Sequence, residues 1–342
     1  MRHFKLALLG FGNVGRALAR LLERKRGELQ AQYGLTFSIT AIATGRHGVA
    51  INPDGLDLER ALQRVEDGQS LAELSAQDTP GDMRAFIRLC GADVLFENTP
   101  VNYETGQPAL GHLHTALECG MHAITANKGP VVHGYRELTA AAKAAGRHFL
   151  FESTVMDGAP IFSLFRGALP GARLHALRGV LNSTTNLILT RMETGESFDD
   201  AVRYAQSIGI AETDPSGDID GWDAAVKVAA LVTVLMDTPL KPAQVERTGI
   251  RRITPEQVAQ ALTEGKRWKL VCSARHSPEG VRARVAPELV PMSSPLFSVE
   301  GTTSIIEFET DVLGLLSVVE SNPGPHTTAY GLLADFLNAV RE

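Results

Sequence analysis

Phe4-Lys5-Leu6-Ala7-Leu8-Leu9-Gly10-Phe11-Gly12-Asn13-Val14-Gly15 decides the fold. Its first half is a short apolar run closed by a glycine, the pattern of a strand buried in a parallel sheet. Val14, Leu18, Leu21 and Leu22 then recur at helical spacing and end in the charged Glu23-Arg24-Lys25-Arg26. Between strand and helix lies Gly-x-Gly-x-x-Gly. In such a turn Gly10 makes the tight bend, Gly12 lets the backbone approach a pyrophosphate, and Gly15 lets helix and strand pack closely. The helix start, with Asn13 and Val14, faces the phosphates. A merely glycine-rich turn is the alternative, and the strand before and helix after weigh against it.

Outward from this stretch the alternation continues. Phe37–Ala43 is a second strand. From Gly45 to Cys90 the chain is polar and irregular, with weak helical signals at Leu58–Val65 and Asp82–Leu89, and is expected to be an elaborated crossover. Strands follow at Asp93–Phe96, His122–Thr125 and His148–Phe151, with helices at Thr105–Glu118 and Tyr135–Ala145. Strands alternating with helices imply an α/β fold, a Rossmann-type doubly wound parallel sheet. From about Ser153 the rhythm changes. Helices at Asn186–Glu193, Phe198–Ile208 and Trp222–Met236 mix with strands at Leu174–Leu181, Lys269–Arg275, Val281–Val285, Ser304–Thr310 and Leu315–Glu320. This predicts a second α+β domain with a mixed sheet, before a last helix at Thr328–Val340.

Composition narrows the class. The chain has 342 residues, enough for two domains, and 44% hydrophobic against 21% charged residues. A net charge of −6 disfavours nucleic acid or an anionic membrane as partner. Cys90, Cys119 and Cys272 form no CxxC pair, so neither a disulfide framework nor a zinc site is indicated, and reduced thiols in a cytoplasmic protein are expected. The opening apolar run ends in a glycine turn rather than a cleavage site, and no apolar stretch approaches the ~20 residues of a membrane span.

The end of the second strand bears on the cofactor. An acid there accepts a ribose 2′-hydroxyl, whereas a basic residue accommodates a 2′-phosphate. Ala43-Thr44-Gly45-Arg46-His47 has no carboxylate, and Arg46 is placed to pair with a phosphate, so NADP is expected over NAD. Asn98-Thr99-Pro100 and Ala126-Asn127-Lys128 end two later strands and belong to the carboxyl edge of the sheet, where ligands sit.

The second constellation is Gly209-Ile210-Ala211-Glu212-Thr213-Asp214-Pro215-Ser216-Gly217-Asp218-Ile219-Asp220-Gly221-Trp222-Asp223-Ala224-Ala225-Val226-Lys227. An acidic loop launches a helix on which Asp223 and Lys227 share a face. A charged pair among alanines is unusual in a buried helix start. A lysine there can donate a proton to a forming alkoxide, or take one in reverse, if burial or neighbouring cations lower its pKa toward neutrality. A simple i,i+4 ion pair worth about 0.3–0.5 kcal/mol is the bland alternative. Some of the acids are expected to cap the helix. Gly179-Val180-Leu181-Asn182-Ser183-Thr184-Thr185-Asn186 is a strand end running into a hydroxyl- and amide-rich turn, where Ser or Thr is expected as an N-cap or as a donor to a substrate carboxylate.

The order GFGNVG, NTP, ANK, GVLNSTTN and GIAETDPSGDIDGWDAAVK resembles homoserine dehydrogenase over nearly the whole chain. The resemblance implies interconversion of L-homoserine and L-aspartate 4-semialdehyde with NADPH or NADH, in threonine, methionine and isoleucine biosynthesis. It implies a nucleotide-binding domain of residues 1–152 and 321–342, a catalytic and dimerisation domain of residues 153–320, and a cytoplasmic homodimer. By motif, Lys227 resembles the acid/base, Asp223 its partner and Lys128 a second active-site lysine. Glu212 and Asp218 resemble ligands of the amino-acid end, with Thr184 nearby. Glu152, Val155, Asp157 and Ala159 fall on a segment similar to the family's monovalent-cation site, for sodium or potassium, although Met156 and Asp157 stand where small residues are usual. Gly324 lies in a turn similar to one that covers the cofactor, here stiffened as Pro323-Gly324-Pro325. The chain stops at Glu342, so the C-terminal regulatory domain of many relatives, and threonine inhibition through it, are not expected. The rivals are a dehydrogenase of another small amino or oxo acid and a nucleotide sensor that has lost its chemistry. Retention of Lys128, Asp223 and Lys227 weighs against the sensor.

Overall fold

The opening apolar run is strand β1 (Arg2–Leu9). After it come α1 (Asn13–Tyr33), β2 (Leu35–Ala43), β3 (Val49–Ile51), α2 (Leu58–Glu66), α3 (Met83–Leu89), β4 (Val94–Glu97), α4 (Ala109–Glu118), β5 (His122–Thr125), α5 (Lys128–Ala144) and β6 (Phe149–Leu150). The six strands lie in the order β3-β2-β1-β4-β5-β6, parallel throughout except for β2 against β3. Burial on both faces explains the unbroken apolar run. Leu6 and Leu8 pack into one core with Leu18 and Leu22 of α1, while Ala7 and Leu9 pack into another with Phe86 and Ile87 of α3. The last helix, Pro325–Val340, returns to the first of these cores, where Phe336 meets the rings of Phe4 and Phe96 edge-on.

The computed structural model describes residues 1–341. The chain divides into two units, one of Met1–Pro160 with the chain from Gly324 onward, the other of Ile161–Pro323. Some expected elements differ in detail. The polar crossover contains an antiparallel edge strand, β3, which pairs Ala50 with Ile42. The helix expected from Thr105 begins at Ala109, after Pro108. The helix expected from Tyr135 begins at Lys128, because the Asn127 side chain caps it by accepting from the Gly129 N–H.

The second unit contains β7 (Leu174–Val180), α6 (Ser183–Met192), α7 (Phe198–Ser207), α8 (Ser216–Ile219), α9 (Trp222–Leu235), β8 (Glu246–Arg247), α10 (Pro255–Thr263), β9 (Lys266–Ser277), β10 (Gly280–Pro291), β11 (Ser304–Thr310) and β12 (Gly314–Glu320). Its sheet runs β12-β11-β7-β9-β10-β8 and is mixed, with only β8 and β10 parallel. Strands β9 and β10 are longer than the sequence suggested, since their ladder runs from Lys266 against Pro291 to Ser277 against Gly280. Helix α10 was not anticipated, although Thr254-Pro255-Glu256-Gln257 is a capping box with proline in the first turn. Helix α9 is buried over Ala224–Val226 and Val228–Thr233, which accounts for its small, apolar composition.

Candidate functional site

In the first unit the strand order reverses beside β1, and ligands of open α/β sheets bind at the carboxyl ends of strands flanking such a reversal. The glycine turn lies there. Gly10 has φ +95°, and a Cβ on it would stand 2.5 Å from the Asn98 carbonyl carbon and 3.0 Å from the Thr99 nitrogen. A Cβ on Gly15 would run into the Gly10 carbonyl oxygen. These two glycines are required by the protein itself. Gly12 is different: nothing lies within 4 Å of its missing Cβ, and its φ of −76° suits any residue. It precedes α1 without a side-chain cap, so the open space and free helix start fit a pyrophosphate. Gly12 and Asn13 are exposed, and Val14 is half-buried.

The facing edge is built from buried polar groups. Both side-chain polar atoms of Asn98 are buried without a hydrogen-bond partner among the described residues, which fits a ligand that would supply one. Fully buried Glu97, which sequence reasoning passed over, accepts from the Thr99 N–H at 2.9 Å, from the Thr125 hydroxyl at 2.8 Å, and from the Thr99 hydroxyl. Burial pushes its carboxyl above the ordinary range, and the hydroxyls pull it back. Asn127 donates to the Thr99 oxygen at 3.1 Å, tying the Asn98–Pro100 loop to the start of α5. Pro100 is exposed on that loop, and Lys128 is half-buried in the first turn of α5. Arg46 is exposed in the turn from β2 to β3, where the Thr44 hydroxyl accepts from the His47 N–H at 2.6 Å.

The turn through residues 152–159 packs on the last helix within the same unit. The Glu152 N–H donates to Asp335 at 2.7 Å, and the Ser153 hydroxyl donates to the Thr328 oxygen at 2.7 Å. Val155 is fully buried, and Met156 and Asp157 hold left-handed backbones at φ +53° and +46°. The Asp157 carboxylate accepts from the hydroxyls of Thr327 and Thr328, at 3.3 and 3.1 Å. Ala159 closes the turn by donating its N–H to the Met156 oxygen at 2.9 Å. Among the described residues no cluster of three His, Cys, Asp or Glu side chains could hold a metal. Gly324 caps the last helix, its N–H donating to the Thr327 hydroxyl at 2.9 Å; its φ of 173° is ordinary extended backbone.

In the second unit the acidic loop sorts itself. Asp214 accepts from the Ser216 N–H at 3.1 Å, and Asp220 pairs with Arg251 at 3.0 Å. Glu212 is exposed, its main-chain oxygen held by Gln206 at 3.2 Å. The other two acids converge. Asp218 Oδ1 and Asp223 Oδ2 both accept from Asn182 Nδ2, at 2.6 and 3.0 Å. Lys227 Nζ lies 3.0 Å from Asp223 Oδ2 and donates to the Leu181 oxygen at 2.6 Å. The Lys227 and Asp223 side chains are 15% and 14% exposed, against the solvated face an ordinary ion pair would keep. Burial and the neighbouring Asp223 hold the Asp218 carboxyl above its usual range, while hydrogen bonds from Asn182 and Thr184 oppose them. Thr184 is itself buried, its hydroxyl 3.3 Å from the Ile210 oxygen.

Two capping expectations fail here. Helix α6 is capped by Asn182, whose Oδ1 accepts from the Thr185 N–H at 2.9 Å, not by a hydroxyl. Helix α9 starts at Gly221 in the left-handed conformation without a side-chain cap, so none of the loop acids caps it.

Family models extend the comparison beyond this chain. The model described as homoserine dehydrogenase matches residues 160–337, and its NAD-binding domain matches residues 10–152. A homoserine dehydrogenase of Methanocaldococcus jannaschii is 37% identical, covering 97% of each chain. An NAD(+)-dependent homoserine dehydrogenase of Pseudomonas canavaninivorans is 34% identical over 99% of this chain and 96% of its own. A hyperthermophilic archaeal homoserine dehydrogenase solved in complex with NADPH superposes with a TM-score of 0.83 at 29% identity, covering 99% of this chain and 98% of that one.

Proposed function

The chain belongs to the homoserine dehydrogenase family, and on that premise we propose that Lys227 moves the proton in the NAD(P)-dependent interconversion of L-homoserine and L-aspartate 4-semialdehyde. The observation that carries this reading is the Lys227 amine, held at 3.0 Å from Asp223 at the start of a buried, alanine-lined helix. A nicotinamide dinucleotide, when bound, supplies or takes the hydride. Lys227 gives its proton to the aldehyde oxygen as negative charge develops there, and takes one from the hydroxyl in the reverse direction. Asp223 orients that amine. Asp218 and Glu212 receive the substrate ammonium, which would offset the burial that now disfavours ionised Asp218. Thr184 stands beside them as a hydroxyl donor, and Lys128 contacts cofactor and substrate.

Arg46 in a turn without carboxylates supports NADP over NAD. Gly10, Gly12, Asn13, Val14, Gly15, Asn98, Thr99, Pro100 and Gly324 complete the cofactor contacts. Sodium or potassium would be held by main-chain oxygens around Glu152, Val155, Asp157 and Ala159. Leu315 and Val319, exposed on the edge strand β12, support a homodimer formed through the second unit. The free thiols of Cys90, Cys119 and Cys272 support a cytoplasmic setting. No helix among the described residues is long and apolar enough to cross a membrane.

Replacing Lys227 by Met tests the central assignment. Turnover of homoserine should fall by about 10³-fold, within the range for a general acid–base group, while dinucleotide affinity stays unchanged. Near-normal turnover would remove Lys227 from the proton transfer.

A further inference from the structure

We propose that Asn182 is a positioning residue for the reaction: its one NH2 group holds the Asp218 and Asp223 carboxylates side by side, and through Asp223 it sets where the Lys227 amine stands. The inference deepens the preceding assignment and rests on it for the role of Lys227.

The argument starts from the amide's orientation. Asn182 is 4% exposed, and its Oδ1 is engaged twice, accepting from the Thr185 N–H and hydroxyl, each at 2.9 Å. A backbone N–H can only donate, so the oxygen must face α6 and the nitrogen must face away. That nitrogen has two hydrogens and spends them on two carboxylates, Asp218 at 2.6 Å and Asp223 at 3.0 Å. Two buried acids this close repel, and one would take up a proton unless donors hold both ionised. The groups facing the pair include Lys227 from α9, the Thr184 hydroxyl of α6 and Cys272 of β9. Burial pushes the Cys272 thiol up to about 12, so it brings no charge at neutral pH. Asn182 is thus the neutral donor shared by both acids. It also joins α6 to α8 and α9, so the cap of one helix and the spacing of the acids depend on one side chain.

Asn182→Asp and Asn182→Ser separate those two duties. Aspartate and serine both cap helices as asparagine does, but neither can donate to two carboxylates. Homoserine oxidation is measured from pH 5 to 10 for the wild type, both variants and Lys227→Met, together with dinucleotide affinity and Tm. Both variants should lose about 10- to 100-fold in kcat, the scale expected of a misplaced catalytic group, with affinity for the dinucleotide unchanged. Their acid limb of kcat should move to higher pH, because losing the donor makes the acids easier to protonate. Adding Asp218→Asn to Asn182→Ser should shrink that movement by removing one of the two charges. If Asn182→Asp does not fold, the serine variant carries the test. A serine variant with the wild-type limb and kcat, altered only in Tm, would make Asn182 a helix cap and overturn the proposal. Normal turnover in Lys227→Met would instead defeat the underlying assignment, which the Asn182 profiles do not report.

Discussion

The glycine crevice of the first unit and the carboxylate–lysine cluster of the second are built by opposite means. The crevice works by subtraction. Gly10 and Gly15 have no side chain because neighbouring backbone occupies that volume, and Gly12 has none although nothing of the protein occupies it. The cluster works by addition. Asn182 from the start of α6, Asp218 from α8, and Asp223 and Lys227 from α9 bring four polar side chains to one buried place. A site made of missing atoms is set by backbone path and stays legible in a short motif. A site made of convergent side chains exists only after distant segments have folded together.

The largest effect that would break this contrast concerns Gly10. Gly10→Ala should destabilise the protein by about 3 kcal/mol in urea unfolding, since it combines a left-handed backbone with a carbonyl clash. A stability equal to wild type would mean that this turn is not held as described.

The buried cation Lys269 of the second unit gives a contrast of similar size with Lys227. It is fully buried and donates to Asn186 at 2.8 Å and to the Val299 oxygen at 2.5 Å, joining α6 to the segment before β11. Burial lowers it from 10.5 to about 8. Between those values the unfolded chain binds a proton that the folded chain has released, so stability should rise with pH across that window. Below about 8 the folded chain carries the full cost of a buried charge. Wild type should therefore gain on Lys269→Met, by an amount of order 3 kcal/mol, between pH 8 and 10.5. A constant difference between the two proteins would place the Lys269 amine in contact with water.

Gly12→Val sharpens the contrast within the crevice. Unfolding free energy should stay within about 1 kcal/mol of wild type, because the added atoms meet no protein. Dinucleotide affinity, read by fluorescence titration, should drop at least about tenfold, as bulk enters the space left for the phosphates. Unchanged affinity would make Gly12 an incidental glycine. The smallest expected effect is at Arg46: Arg46→Glu should shift the NADP-to-NAD ratio of kcat/KM about tenfold toward NAD, and an unmoved ratio would leave the 2′-phosphate to other residues.

Much of both regions is legible in the sequence. The apolar run ending at Gly10 and the helical spacing from Val14 specify a buried strand and helix locally. Asp223 and Lys227 four apart on a helix predict a shared face, and they make the ion pair. What escaped was held by long-range partners. Glu97 looked like the polar end of a strand, yet it is buried under hydroxyls that arrive with Thr99 and Thr125. Asn182 stood inside a run of hydroxyl residues, any of which could cap a helix. The cap it makes on α6 and the approach of Asp218 and Asp223 distinguish it, and both need the folded chain. Strand β3 leaves no mark in the sequence because three residues in a polar stretch have too little periodicity to register.

By itself the sequence determined the alternation of strand and helix, the glycine turn and the placing of a lysine and an acid on one helix face. Each of these depends on neighbours a few residues apart. Tertiary structure decided which of five crowded acids share one amide, which of them pairs with Lys227 and which lysine is sealed from water. Hydrogen bonding and desolvation depend on distance in space, and the chain brings those groups together only when α8 packs on α6 and α9 and those two helices pack on the sheet.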